Sequence, residues 1–354
     1  MRFFDRRRAE TAPADAAAEA LAAARSLVDR RQYQAAIDLL TAENRRVASP
    51  AIESQLVQLR HAAFAVLDSS TPTPGPWPPR FSDPFPGTVG VPEIAASKLS
   101  AEILGGAIQH HGSLLVRGLA SAAQAALLAA DVDRALQAYD AEVADQASPE
   151  QARWFTRLVP GEGYSYTELE RRWFRQSGGQ LLLADSPRSL FDVIETLSSI
   201  GIGRLLADYM GEWPALSFKK STLRRAPANG ETEWHQDGAF LGSATRTVNV
   251  WLACSHCGVE APSLDVVARR LDELVEPGTD GAAFAWSVGP AAADRAARGT
   301  VVRPIFAPGD ALLLDQLTLH RTGVGPGMTR ARYAVESWFF APSTYPHDQV
   351  PIVF

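Results

Sequence analysis

The sequence predicts an α+β protein, helices first and then an antiparallel barrel or sandwich. Three observations point there. Residues 9–68 are rich in Ala, Leu, Arg and Gln, all good helix formers. Eight prolines then crowd between Asp68 and Glu93. From Ala215 onward, short apolar segments recur between Gly- and Pro-containing turns, the pattern of a sheet closed on itself or stacked on another.

Within the helical start, Leu21, Ala24, Leu27 and Val28 keep i, i+3, i+4 spacing, and Tyr33, Ala36, Ile37 and Leu40 repeat it after a short break. The stretch from Leu27 to Leu40 resembles the middle of a tetratricopeptide-type helix pair, and a third helix is predicted from Ile52 to Leu67. A lone repeat cannot bury its own apolar face, so a small cap packed on the remainder is the expectation, with recruitment of a protein partner as the alternative. The proline-rich stretch supports neither helix nor central strand. Its Trp77, Phe81 and Phe85 predict a strap that packs on the surface. Domain bounds follow as 1–68 for the helical segment, 69–95 for the strap and 96–354 for the main domain.

In that domain a helix from Ser97 leads to the short strand Gly112–Gly118, and a helix spans Ser121 to Ala144. An aromatic loop region follows (Trp154, Phe155, Tyr164, Tyr166), then the strand candidate Gly179–Ala184 and a helix near Ser189–Tyr209. The later strands are predicted at Ala215–Leu223, Thr232–Asp237, Thr245–Ala253, Ser263–Ala268, Val301–Phe306, Ala311–His320 and Ala331–Phe340. Neither a dinucleotide turn, nor a P-loop, nor a G-x-S-x-G elbow is present.

Charge and cysteine usage narrow the function classes. A net charge of −6 gives no global reason to bind nucleic acid or an acidic membrane, and no apolar run approaches a membrane span. The basic start Met1–Arg8 lacks a following apolar stretch, so no secretory signal is read. Cys254 and Cys257 have C-x-x-C spacing but no second pair to complete a zinc site, and they read as small buried residues of a reduced, cytoplasmic protein. Only Lys98, Lys219 and Lys220 are lysine among 34 basic residues, which singles out the adjacent pair. With Arg224 and Arg225 they form either a basic mouth for an anionic ligand or a solvated face, with one lysine turned inward by strand parity.

The chemistry concentrates at Trp234-His235-Gln236-Asp237-Gly238. On a strand, positions i and i+2 share a side, so His235 and Asp237 project together as two arms of a chelate. Of seven histidines, His320 is best placed to be the third, since it ends the apolar run from Ala311; His110, His111 and His347 are set aside. Two imidazoles and one carboxylate occupy one face of an octahedron and leave three positions open, which suits a redox metal that must bind a chelating acid and dioxygen. The acid's distal carboxylate then needs a fixed guanidinium. Arg332, twelve residues past His320, would return beside it in a hairpin; Arg330 shares its parity and is the rival. Thr322 could add a hydroxyl.

These residues resemble the phytanoyl-CoA dioxygenase family of iron(II)/2-oxoglutarate oxygenases. The resemblance rests on Trp-His235-Gln-Asp237-Gly, Val248-Asn-Val-Trp251, Phe306-Ala-Pro-Gly-Asp310-Ala-Leu-Leu-Leu, His320-Arg-Thr-Gly and Arg332-Tyr-Ala-Val-Glu-Ser-Trp-Phe. It covers Ala215 to Ser343, and Gly112–Gly118 resembles the strand that opens such domains. It implies a double-stranded β-helix, a jelly-roll or cupin-like barrel, with iron on His235, Asp237 and His320, 2-oxoglutarate on Arg332, and Thr322 and Trp251 lining that pocket; Lys219, from the basic pair, is the further candidate to bind the co-substrate. It further implies an oxidoreductase, a dioxygenase that consumes O2 and releases succinate and CO2 while hydroxylating a small-molecule or acyl substrate; the basic mouth, if it binds the substrate, calls for an anionic one. Halogenases on this fold carry a small residue in place of the carboxylate; Asp237 therefore favours hydroxylation or a related oxidation. Two departures stand out. The spacing from His320 to Arg332 is one residue longer than the family's, and Ser263–Arg270 stands where many relatives have a Pro-Gly-Ser-His turn. The alternatives are a binding or scaffold protein with an inactive barrel, and a barrel metalloenzyme that does not use 2-oxoglutarate. Glu336 and Trp338, of Arg332's parity, point into the barrel, Glu336 as a substrate contact or as half of an ion pair.

Overall fold

A computed structural model describes residues 5–68, 77–230 and 232–354. Residues 69–76 of the expected strap lie outside them. The chain opens with three helices, α1 (Asp5–Asp29), α2 (Tyr33–Val47) and α3 (Pro50–Asp68). Strand β1 (Glu93–Ala95), α4 (Ala101–His111), β2 (Ser113–Arg117) and α5 (Ala122–Val143) follow. Ser121 caps α5 reciprocally with Gln124, satisfying two of the donors that a helix start leaves orphaned. Next come α6 (Glu168–Gly178), β3 (Gln180–Leu182), α7 (Pro187–Ser199) and α8 (Ile202–Met210). The remainder is mostly strand: β4 (Ala215–Ser217), β5 (Thr222–Ala226), the single turn α9 (Gly238–Leu241), β6 (Thr247–Ala253), β7 (Ser263–Val267), α10 (Pro290–Ala297), β8 (Val301–Val302), β9 (Ala311–Leu314), β10 (His320–Gly323), β11 (Arg332–Phe340) and β12 (Pro351–Val353).

Two sheets result. The larger runs β1-β2-β9-β6-β11-β4-β12, with β5 also on β11 and β3 outside β5; only the β1–β2 pair is parallel. The smaller is β10-β7-β8. Side-chain alternation explains why the large sheet is buried on both faces. On β6, Val248, Val250 and Leu252 join the helical layer of α4, α5, α7 and α8, and on β11 Val335 and Phe339 do the same. Asn249, Trp251, Glu336 and Trp338 have the other parity and face a cavity between the sheets. The sheets face each other as in a jelly roll without closing into a continuous barrel.

The N-terminal helices form a cap. Arg60 on α3 donates to the Val353 carbonyl (2.9 Å), a ring nitrogen of His61 meets the Pro351 carbonyl, and Phe64 packs on Tyr345. The fully buried Glu53 accepts from Arg153 at 2.6 Å and from Arg188 at 3.1 Å. The described part of the strap packs as expected: Trp77 and Phe81 meet Tyr209, and Phe85 meets His111. No helix among the described residues is long and apolar enough to cross a membrane.

Several expected strands are shorter or divided. Ala215–Leu223 breaks at the turn Phe218–Lys220, and Val301–Phe306 contracts to two residues. The helix expected over Ser189–Tyr209 is two, parted at Gly201 with φ of 78°. The run expected as one strand, Ala311–His320, divides between the two sheets. Asp315 makes the break: its carboxylate accepts from the Leu317 N–H (3.0 Å) and pairs with Arg270 (2.6 Å), which turns the chain out of the large sheet.

Candidate metal centre and its cavity

His235, Asp237 and His320 converge, with one ligand atom from each lying within 4.8 Å of the others. The route differs from strand parity. Only Trp234 and His235 are bridged as strand, and Asp237 takes helical angles (φ −64°, ψ −20°) at the start of α9. His235 and His320 exchange both backbone hydrogen bonds at 3.0 Å, which sets their rings 4.4 Å apart. The Gly238 N–H then donates to the Gln316 carbonyl, turning the chain so that Asp237 Oδ2 lies 3.8 Å from His320 Nε2. A Cβ on Gly238 would meet Leu274 at 2.8 Å and the Gln316 oxygen at 3.1 Å, so the motif's glycine answers a close approach. Gln236 faces away and pins the turn, donating to the Leu317 carbonyl (2.7 Å) and accepting from the Val275 N–H (2.7 Å).

Both imidazoles are oriented alike. His235 Nδ1 lies 2.8 Å from the Glu233 carbonyl and His320 Nδ1 lies 3.0 Å from the Thr318 carbonyl. A carbonyl only accepts, so each Nδ1 carries the proton and each Nε2 presents its lone pair inward. Burial and the neighbouring His320 push the pKa of His235 down to about 3, which keeps this ring neutral at ordinary pH. Burial opposes ionisation of Asp237, but the charge of Lys220 and its hydrogen bond hold the carboxyl below its usual range. Lys220 Nζ sits 3.2 Å from Asp237 Oδ1 and 3.4 Å from the centre of the Phe240 ring. Two neutral nitrogens and an anionic oxygen form a donor set suited to a divalent transition metal.

The centre opens on a cavity of about 540 Å3 whose wall includes Lys219, Lys220, Trp251, Thr322, Glu336 and Trp338. Strand parity would have turned one lysine inward. Both line the wall because they sit on the turn between β4 and β5. Lys219 lies 3.9 Å from Glu170. Glu336 pairs with Arg224 at 3.2 Å.

Arg332 is fully buried, but no hairpin with the His320 strand brings it there. It opens β11 in the large sheet, while His320 opens β10 in the small one, and the two sheets face each other. Its guanidinium donates to the Ser263 carbonyl (2.9 Å) and toward Thr322 Oγ1 (3.4 Å) and lies 5.2 Å from the centre of the Trp251 ring. Nε has no partner, and among the described residues no carboxylate pairs with Arg332. Burial, helped by Arg224, pushes its pKa down to about 9. Arg332 does not itself line the cavity; it touches two residues that do, Thr322 and Trp251. Arg330 lies on the exposed turn, paired with Glu260 at 3.2 Å.

Further unmet polar atoms border the cavity: Tyr166 Oη, Thr222 Oγ1, Asn249 Oδ1 and Trp251 Nε1 are buried without partners. The sequence reading missed Tyr166, Thr222 and Asn249, although Asn249 shares parity with Trp251 and was within reach. Lys220 belongs to the basic pair that the sequence singles out, but strand parity there turns only one lysine inward, and the turn places Lys220 on Asp237. Cys254 and Cys257 are buried, and burial raises both thiols, Cys257 to about 11, which fits packing and not redox exchange. His111 pairs with Asp83 (2.8 Å), away from the centre.

The family model for phytanoyl-CoA dioxygenase matches residues 108–325, more than half of the chain. No curated protein sequence matches it. Among solved structures, a non-haem α-ketoglutarate-dependent carbocyclase, SnoK from nogalamycin biosynthesis, is 16% identical over 71% of this chain and 87% of its own, with a TM-score of 0.45. EvdO2 from Micromonospora carbonacea var. aurantiaca, complexed with 2-oxoglutarate, is 16% identical over 66% of this chain and 88% of its own, with a TM-score of 0.41. EctD from S. alaskensis, with 2-oxoglutarate and 5-hydroxyectoine, is 16% identical over 66% and 73%, with a TM-score of 0.42.

Proposed function

The chain belongs to the phytanoyl-CoA dioxygenase family, and on that premise we propose that it is an iron(II)- and 2-oxoglutarate-dependent oxygenase that hydroxylates a small molecule. The observation that carries this reading is the convergence of His235, Asp237 and His320, each imidazole turned Nε2-inward. The donor set fits ferrous iron, and Arg332 fits the co-substrate: a fully buried cation without a carboxylate is costly until an anion arrives. When bound, the metal with dioxygen and 2-oxoglutarate supplies the oxidising power, and succinate and CO2 are the by-products.

The chain's own groups do the rest. His235, Asp237 and His320 hold the metal on one face. Arg332 pairs with the distal carboxylate, Thr322 offers its hydroxyl to the same group, and Trp251 Nε1 is a further donor on that wall. Lys220 keeps Asp237 ionised, and Lys219 gives an anionic ligand a second cation. The substrate enters through the same cavity, and the two buried thiols suit a reducing cytoplasm. Purified protein supplied with iron(II), 2-oxoglutarate and air should form succinate, and Asp237→Ala should form none above the protein-free rate. Succinate formation that survives Asp237→Ala would overturn the reading.

A further inference from the structure

We propose that the cavity takes a flat aromatic substrate, held between two walls of aromatic side chains; this rests on the reading that His235, Asp237 and His320 form the reaction centre. One wall is Phe240, Trp286 and Phe284. Trp286 stands edge-on to His235 with centroids 5.7 Å apart, meets Phe240 at 5.8 Å, and stacks on Phe284 at 5.0 Å with the rings 3° from parallel. That wall therefore runs from the metal centre out to the rim. The other wall is Tyr166, Trp173 and Phe174, carried by α6 and the loop before it; Phe174 lies 5.3 Å from Trp173 and 6.5 Å from Tyr166. Among the described residues no ring of one wall touches a ring of the other, although all six line one cavity.

Two features favour a planar aromatic guest. Trp173 is 46% exposed and Phe284 47% exposed, one in each aromatic group of the cavity lining. Large apolar rings left in water are a cost that a guest sliding between them would relieve, and stacked or edge-on rings gain further from the π-quadrupole. The aliphatic contribution is small by contrast: only Leu264 and Leu314 of the described lining are aliphatic, and both sit on the sheets at the inner end. An alkyl chain would find few methyl groups to pack against. The volume of about 540 Å3 is in the range of small-molecule sites. A ring laid along Trp286 lies next to His235, so its edge, or a substituent on it, meets the centre.

The test compares two monoanions that differ in shape and π surface, anthracene-2-carboxylate and myristate, by calorimetric titration of metal-free protein and of protein loaded with Mn(II) and 2-oxoglutarate. The aromatic acid should bind at least tenfold more tightly than myristate in both forms. Trp286→Ala and Trp173→Ala should each weaken it tenfold or more while leaving Mn(II) affinity within twofold; thermal melts establish that both variants are folded. Myristate binding as well as the aromatic acid, no binding of the aromatic acid, or undiminished aromatic binding in both variants would overturn the proposal. Mn(II) affinity is read separately, so loss of the metal reading leaves a different signature: aromatic binding without metal binding.

Discussion

Two buried polar regions of this molecule, the cap interface and the cavity wall, treat their charges in opposite ways. At the interface, Glu53 is fully buried and answered by two guanidinium groups, those of Arg153 and Arg188. Along the cavity, Arg332 is fully buried with no carboxylate, and Tyr166, Thr222, Asn249 and Trp251 each carry an unmet polar atom. A buried polar group without a partner costs on the order of 1–3 kcal/mol. Glu53 finds its counter-charges within the chain; on the reading proposed above, Arg332 finds its own in a ligand. One pair inside the helical layer tests this contrast. Asp131 and Asp192 each keep an Oδ2 without a donor, and burial, with the charge of Asp192, pushes Asp131 up to about 7. There a proton held between the two carboxyls would supply the missing partner.

Removing Asp237 should break the comparison at its open end, with the largest effect. Asp237→Ala should abolish Mn(II) binding by calorimetry, since two imidazoles alone leave the site one anionic ligand short. Replacing the buried guanidinium comes next. Arg332→Met should raise the KM for 2-oxoglutarate by roughly a hundredfold, about 2.7 kcal/mol of lost charge-assisted bonding, and Arg330→Met should leave it within twofold; the reverse result would make Arg330 the anchor. At the closed end, Glu53→Ala should lower stability by about 2 kcal/mol in urea unfolding, because Arg153 and Arg188 lose their shared carboxylate. Succinate formation per folded molecule should not change.

The smallest effect concerns Asp131. Its folded pKa lies above the unfolded value, so the stability it lends is fully present below pH 4 and is lost as pH rises through about 7. Asp131→Asn should therefore raise the Tm at pH 8 by on the order of 2 °C relative to its effect at pH 5. An equal shift at both pH values would mean that no proton is shared.

Much of the centre was legible because its signals are local. H-x-D, a distal histidine and an arginine on the next strand can be read without knowing the fold, and alternation along β6 and β11 sorts Trp251, Glu336 and Trp338 onto the cavity side. The path between those points was not legible. The spacing that brings His235 and Asp237 together comes from a bridge followed by a helical turn, fixed by the Gly238 N–H on the Gln316 carbonyl, 78 residues further along the chain. Arg332 approaches Thr322 across two sheets, not along a hairpin, because Asp315 turns the chain before His320. The aromatic walls come from α6 with the loop before it, from α9 and from the loop before α10, where no periodic pattern marks the inward residues. The cap was legible as three helices; its docking through Glu53 was not, since a helical glutamate gives no sign of its partners.

The central claim is that the three ligands and Arg332 act together on one metal and one dicarboxylate. It is tested most directly by anaerobic titration of 2-oxoglutarate into the iron(II)-loaded protein while visible absorbance is followed. A weak charge-transfer band should grow to saturation in the wild type, and Arg332→Met should need at least tenfold more 2-oxoglutarate to reach the same fraction. Protein that contains iron yet shows no band, and that forms no succinate when air is admitted, would contradict the account.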